Sequence, residues 1–138
     1  MNLSCQRTLA AAVLTVALLL SFTPAPAAAR CAPTTVERQA RTARYVFEGT
    51  LVATADGTLT FEVTAVWKGA PPARLTILTS VRGQFAAATD VGRQFLVFAQ
   101  GSDDAHLAVS RCGASRGLAD AAAVLVELRA AGLARRAR

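Results

Sequence analysis

Few side chains in this 138-residue chain could do chemistry, and their spacing does not bring them together. His106 is the only histidine. Alternating with Leu107 and Val109, it falls on the solvent side of a short strand spanning His106–Ser110. Ser110 and Ser115 have no base near them in sequence, and no G-x-S-x-G elbow occurs. Asp103-Asp104 could begin a metal site. Adjacent aspartates after Gly101-Ser102 are turn formers instead. Neither a phosphate-binding glycine loop nor an H-E-x-x-H helix is present. The chain reads as a non-enzyme, with no catalytic residues, no cofactor and no metal site.

Three cysteines remain, and the first 29 residues decide how they are used. Arg7 is the only charge before an apolar run from Leu9 to Leu20, followed by Pro24, Pro26 and Ala27-Ala28-Ala29. A positive start, an apolar centre and small residues at −3 and −1 are the marks of a cleaved secretory leader. The run of about 12–14 apolar residues is too short for the roughly 30 Å hydrocarbon core of a bilayer, so no transmembrane anchor is expected after leader removal. The expected division is a signal peptide over 1–29, one domain over 30–133, and a basic disordered tail over 134–138. Cys5 leaves with the leader. Cys31 and Cys112 are then two thiols in an oxidising compartment, and a disulfide between them is predicted. Two cysteines with one distant histidine do not make a zinc site. A lipid anchor on Cys31 fails because Arg30 stands where a small residue is required.

The formal net charge of +6 is carried almost wholly by scattered arginines, with Lys68 the sole lysine. Nucleic acid is excluded as a partner, because Phe61 and Trp67 share the alternating face of Leu59, Val63 and Ala65. That is a core pattern rather than a stacking platform.

The elements that must position these residues follow from periodicity. Thr34 with Glu37 has capping-box spacing and starts a short helix over 35–42. Tyr45–Thr54 and Thr58–Trp67 are strands joined by a hairpin at Asp56-Gly57, a pair that tolerates positive φ. Lys68-Gly69-Ala70-Pro71-Pro72 stops the second strand, since proline cannot donate to a ladder. Arg74–Thr79, Gln94–Gln100 and His106–Ser110 are three further strands, with Val81–Arg93 irregular between them. A closing helix is expected over Leu118–Leu133, with Gly132 as its terminator. The pattern gives an α+β, mainly β fold: a five-stranded Greek-key barrel with flanking N- and C-terminal helices. Its expected core is Phe47, Leu51, Leu59, Phe61, Val63, Trp67, Leu75, Ile77, Phe95 and Val97.

Several marks recur in one order. They are Cys31-Ala32-Pro33 after a leader, Val46-Phe47-Glu48-Gly49-Thr50, Phe61-x-Val63-x-x-Val66-Trp67-Lys68-Gly69, Val91-Gly92-Arg93-Gln94-Phe95-Leu96-Val97-Phe98 and Arg111-Cys112-Gly113. The set resembles bacterial secreted domains similar to tissue inhibitors of metalloproteinases, the netrin-module type of OB-fold. The resemblance covers Cys31–Leu133 and implies an OB barrel tied by disulfides from its N-terminal segment. In the animal inhibitors the mature chain begins Cys-x-Cys, and the first cysteine's amine and carbonyl chelate the zinc of the target protease. Here Cys31 matches the second of those cysteines and Ala29 stands at the first. Arg82 stands where the first cysteine's partner is expected, so both halves of one bridge are absent and both halves of the other are present.

The resemblance implies a secreted, non-catalytic protein-binding module, inhibitor-like but without the zinc-chelating cysteine, with a protein partner that could be a protease. Its binding segment is Arg30-Cys31-Ala32-Pro33, flanked by the Asp56-Gly57 hairpin and the loop over 83–90. The alternative is an extracellular or envelope interaction domain of the same fold with no inhibitory activity. An exposed apolar ridge beside the N-terminal segment favours the first and a polar rim the second.

Overall fold

A computed structural model describes residues 31–79, 86–110 and 112–138. The expected leader, Arg30 and Arg82 therefore lie outside the described residues. Helix α1 (Val36–Thr42) leads into strands β1 (Tyr45–Ala55) and β2 (Thr58–Lys68), which form an antiparallel hairpin. Strands β3 (Arg74–Leu78), β4 (Gln94–Gln100) and β5 (Ala108–Val109) follow, then β6 (Arg116–Gly117), helix α2 (Ala122–Ala130) and β7 (Arg136–Ala137). Antiparallel pairing runs β1 to β2 to β3, β3 meets β5 in parallel, β5 meets β4, and β4 closes on β1. This is a closed five-stranded OB-like barrel with two extra strands and two helices, the architecture expected from the strand pattern.

Two apolar layers hold it. The barrel interior contains Phe47, Leu51, Phe61, Ile77, Phe95, Val97 and Leu107. Phe61 stands edge-on to both Phe47 and Phe95, with each pair of ring centroids 5.9 Å apart. The second layer lies between the barrel's outer wall and the helices, where Val36, Ala40, Val46, Trp67, Leu96, Phe98, Val124 and Leu128 meet.

All ten expected core residues are buried, but Trp67 is in the second layer rather than the barrel interior. The reason is a bulge. Glu48 faces Ala65 and Gly49 faces Val63, which leaves Thr64 without an opposite residue and inverts the alternation beyond it. Val66 then points inward and Trp67 outward.

The helix ends differ from the sequence reading in detail. Thr35, not Thr34, caps α1, its Oγ1 accepting from the Arg38 amide at 3.2 Å. At the other end Lys68 Nζ donates to the carbonyls of Ala40, Arg41 and Ala43 at 2.8, 2.8 and 2.6 Å. The sole lysine thus serves helix carbonyls that have no partner within the helix. The expected closing helix begins as a 3-10 turn (Leu118–Asp120) before α2. It ends at Gly132, with φ +83°, whose amide donates to Arg129 while Leu133 donates to Leu128. That pair of bonds is the glycine-terminated helix stop expected from the sequence. His106 belongs to a 3-10 turn (Asp104–His106), not to β5, although it is exposed as expected.

The tail requires a correction. Residues 134–138 were expected to be disordered, but Arg136–Ala137 pairs antiparallel with Val66 and Ala65 of β2. β3 covers β2 only over Thr58–Glu62, so the upper part of that edge is open to a strand, and the tail takes it.

Candidate functional site

The expected binding segment begins at a covalent tether. Cys31 and Cys112 are joined in a disulfide, as predicted. Cys31, Ala32, Pro33, Thr34 and Thr35 are all exposed and have no regular secondary structure before α1. Pro33 fixes its own φ and biases Ala32 towards an extended backbone. On the Cys112 side, the Ala114 amide donates to Gln39 Oε1 of α1 at 2.5 Å, and Phe98 of β4 donates to Ser115 Oγ at 2.8 Å. The segment carrying Cys112 is therefore fastened to both α1 and the barrel wall.

The two expected flanking loops do meet each other. The Asp56-Gly57 hairpin and residues Ala86–Ala88 line one open cavity with Thr54, Leu59 and Thr79. Residues 31–33 are not in that lining, and 83–85 lie outside the described residues. The exposed large apolar side chains among the described residues are Leu78, Val91 and Val126. They sit on β3, the turn before β4 and α2.

The acidic turn is built as expected. Asp103 Oδ1 accepts from the amides of Ala105 and His106 at 2.9 and 3.0 Å, and lies 2.8 Å from His106 Nδ1. The His106 ring holds the Asp103 carboxyl below its ordinary range. Asp104 Oδ1 accepts from Tyr45 Oη at 2.7 Å and Arg44 Nε at 3.1 Å, which pins the turn to the start of β1. Among the described residues no three His, Cys, Asp or Glu side chains gather as a metal-ligand set.

The sequence reading missed one site. Glu48, in the first half of β1, is the one buried charged residue among those described, with its side chain 4% exposed. It lies on the outer wall of the barrel, under the second apolar layer. Trp67 Nε1 donates to Glu48 Oε1 at 2.9 Å. Arg135 of the tail reaches across from the other side: its Nε donates to Oε1 and Oε2 at 2.9 and 3.1 Å, and its Nη2 to Oε2 at 2.7 Å. The guanidinium of Arg129, on α2, lies over the Trp67 ring, 5.6 Å from its centroid.

Burial pushes the Glu48 carboxyl up. Hydrogen bonds from Arg135 and Trp67, with the charges of Arg135 and Arg129, outweigh burial and hold it below the usual glutamate value. The same contact raises Arg135. The only signal in sequence is the acid itself, set between Phe47 and Gly49 in a strand whose partner face is apolar.

Among the described residues no helix is long and apolar enough to cross a membrane. No protein-family model matches the chain, and no curated protein matches it.

Proposed function

We propose that the chain is a secreted, non-catalytic module that binds a protein partner through its N-terminal segment, Arg30-Cys31-Ala32-Pro33. The observation that carries this reading is the tether: an exposed, proline-stiffened segment fixed by the Cys31–Cys112 disulfide. A segment held in one shape loses less entropy on binding, which is what a recognition strand on a barrel needs. The ordered motifs shared with metalloproteinase-inhibitor-like domains support the same placement.

Zinc-directed inhibition is the narrower form of this proposal, and a protease is then the partner. A backbone amine and carbonyl can chelate without the first sulfur, but Ala29, at the first cysteine's position, has no sulfur to bridge and leaves with the expected leader, so no bridge holds the new N-terminus in place. The second reading, an extracellular or envelope interaction domain without inhibitory activity, is favoured by the scatter of Leu78, Val91 and Val126 over three elements.

One experiment separates the readings. Secreted, oxidised protein is first sequenced at its N-terminus, where Arg30 is the expected first residue, and then used to capture partners from extracellular fractions. Extending the mature N-terminus by three residues should abolish capture and leave the melting temperature unchanged. Capture that survives the extension overturns the N-terminal site. Capture that it abolishes, with no protease inhibited, leaves the binding module and removes the inhibitor.

A further inference from the structure

The tail stands in a position that an independent chain segment could fill. β7 offers only two ladder positions, Arg136 opposite Val66 and Ala137 opposite Ala65. Every residue from Ala134 to Arg138 is exposed, so the tail buries no apolar side chain of its own. Polar contacts fasten it. Arg135 clamps Glu48, Arg136 Nη2 donates to the Gly69 carbonyl at 2.8 Å, and the Arg138 amide donates to the Thr64 carbonyl at 3.0 Å. Arg138 Nη1 also donates to the Pro71 carbonyl. The receiving side is the opposite in character. Glu48 and Trp67 are fixed within the barrel wall, and β2 presents open backbone beyond the reach of β3. A groove over Val66, Gly69, Pro71 and Pro72 continues along the tail.

We propose that Glu48, Trp67 and the upper edge of β2 form an acceptor site for an extended, arginine-bearing peptide, and that residues 134–138 fill it in cis as a detachable strap. This is a second surface, independent of the N-terminal segment.

Two features define the ligand. The buried carboxylate takes two parallel N–H donors, which a guanidinium fork supplies and an ammonium does not. The open β2 edge takes an extended backbone, as in strand-addition recognition. A cation must be present, because a carboxylate this enclosed is costly to leave unpaired. The strap and an incoming peptide therefore exclude one another.

The probe is a synthetic peptide of residues 133–138 with blocked ends, titrated onto the full chain. Trp67 is the only tryptophan and sits against the site, so its emission reports occupancy directly. A tethered strap acts at an effective concentration in the mM range, so the wild-type chain should respond only at mM peptide. Full-length Arg135→Ala should bind the peptide at least tenfold more tightly than wild type. A peptide with lysine at position 135 should bind that variant at least tenfold more weakly than the parent peptide, and adding Glu48→Gln should abolish binding.

Native-state hydrogen exchange on the wild-type chain tests the strap without any substitution. The Arg138 amide should exchange at least a hundredfold faster than Phe61 in the centre of β2. Failure of both wild type and Arg135→Ala to bind at several mM overturns the proposal. So does exchange of Arg138 only on global unfolding, or a wild-type dimer that dissociates on Arg135→Ala, which would show that a second copy fills the site.

Discussion

Replacing Cys31 and Cys112 together with alanine should weaken the fold far more than the packing around them suggests. The residues from Cys31 to Thr35 are exposed, so the native state loses little burial when the bridge is removed. The effect falls on the unfolded chain. The bridge closes a loop of about 82 residues, for which the chain-entropy relation gives roughly 4.5 kcal/mol at 25 °C. A domain of this size has about 5–15 kcal/mol in all, so the bridge accounts for a large share. At roughly 4–8 °C per kcal/mol, the melting temperature should fall by about 18–36 °C.

Urea unfolding followed by Trp67 emission measures this directly, because that ring is buried against Glu48 and Arg129. The denaturant slope should rise as well, since an uncrosslinked unfolded chain exposes more surface. A loss below about 1 kcal/mol with an unchanged slope would refute the reasoning. It would mean that the oxidised and reduced unfolded chains are equally compact.

Glu48→Gln should destabilise the fold most at neutral pH. The folded carboxyl titrates below its ordinary value, so its stabilisation is present above the unfolded glutamate range and is lost as pH falls through the folded value. Unfolding free energies of the two proteins should therefore converge in acid, and a constant gap from pH 7 down to pH 3 would sink this account. Gly69→Ala should cost about 2–4 kcal/mol, because φ is +79° and a Cβ there would meet Tyr45 Cδ1 at 2.5 Å and the Arg44 carbonyl at 2.9 Å. An unchanged urea midpoint for that variant would show that the turn relaxes freely.

The barrel was legible because its signals are local. Thr58–Trp67 alternates over ten residues, Gly57 adopts the positive φ that the hairpin needs, and Gln94–Gln100 is apolar on both faces because its two faces meet the two apolar layers. What escaped was set by pairing across distance. Strict alternation puts Trp67 inside the barrel, and only the register against β1 reveals the extra residue at Thr64. Three arginines in the last four positions suggested a solvated tail. Glu48, the partner of Arg135, is 87 residues away, a separation at which composition carries no information.

One local event underlies both surprises. Gly49 stands beside the bulge, and a Cβ there would come within 2.9 Å of the Glu62 carbonyl, so glycine allows the two strands to approach where the register slips. The slip turns Trp67 outward, where its indole nitrogen needs an acceptor and its ring needs cover. Glu48 on the neighbouring strand supplies the acceptor, and α2 with Arg129 supplies the cover. Covering the indole also encloses the carboxylate, and an enclosed carboxylate requires a cation beyond the neutral indole donor. Arg135 meets that requirement from the tail, which runs along the edge of β2 that β3 leaves uncovered. The order in the tail is thus a consequence of a register shift in the first hairpin.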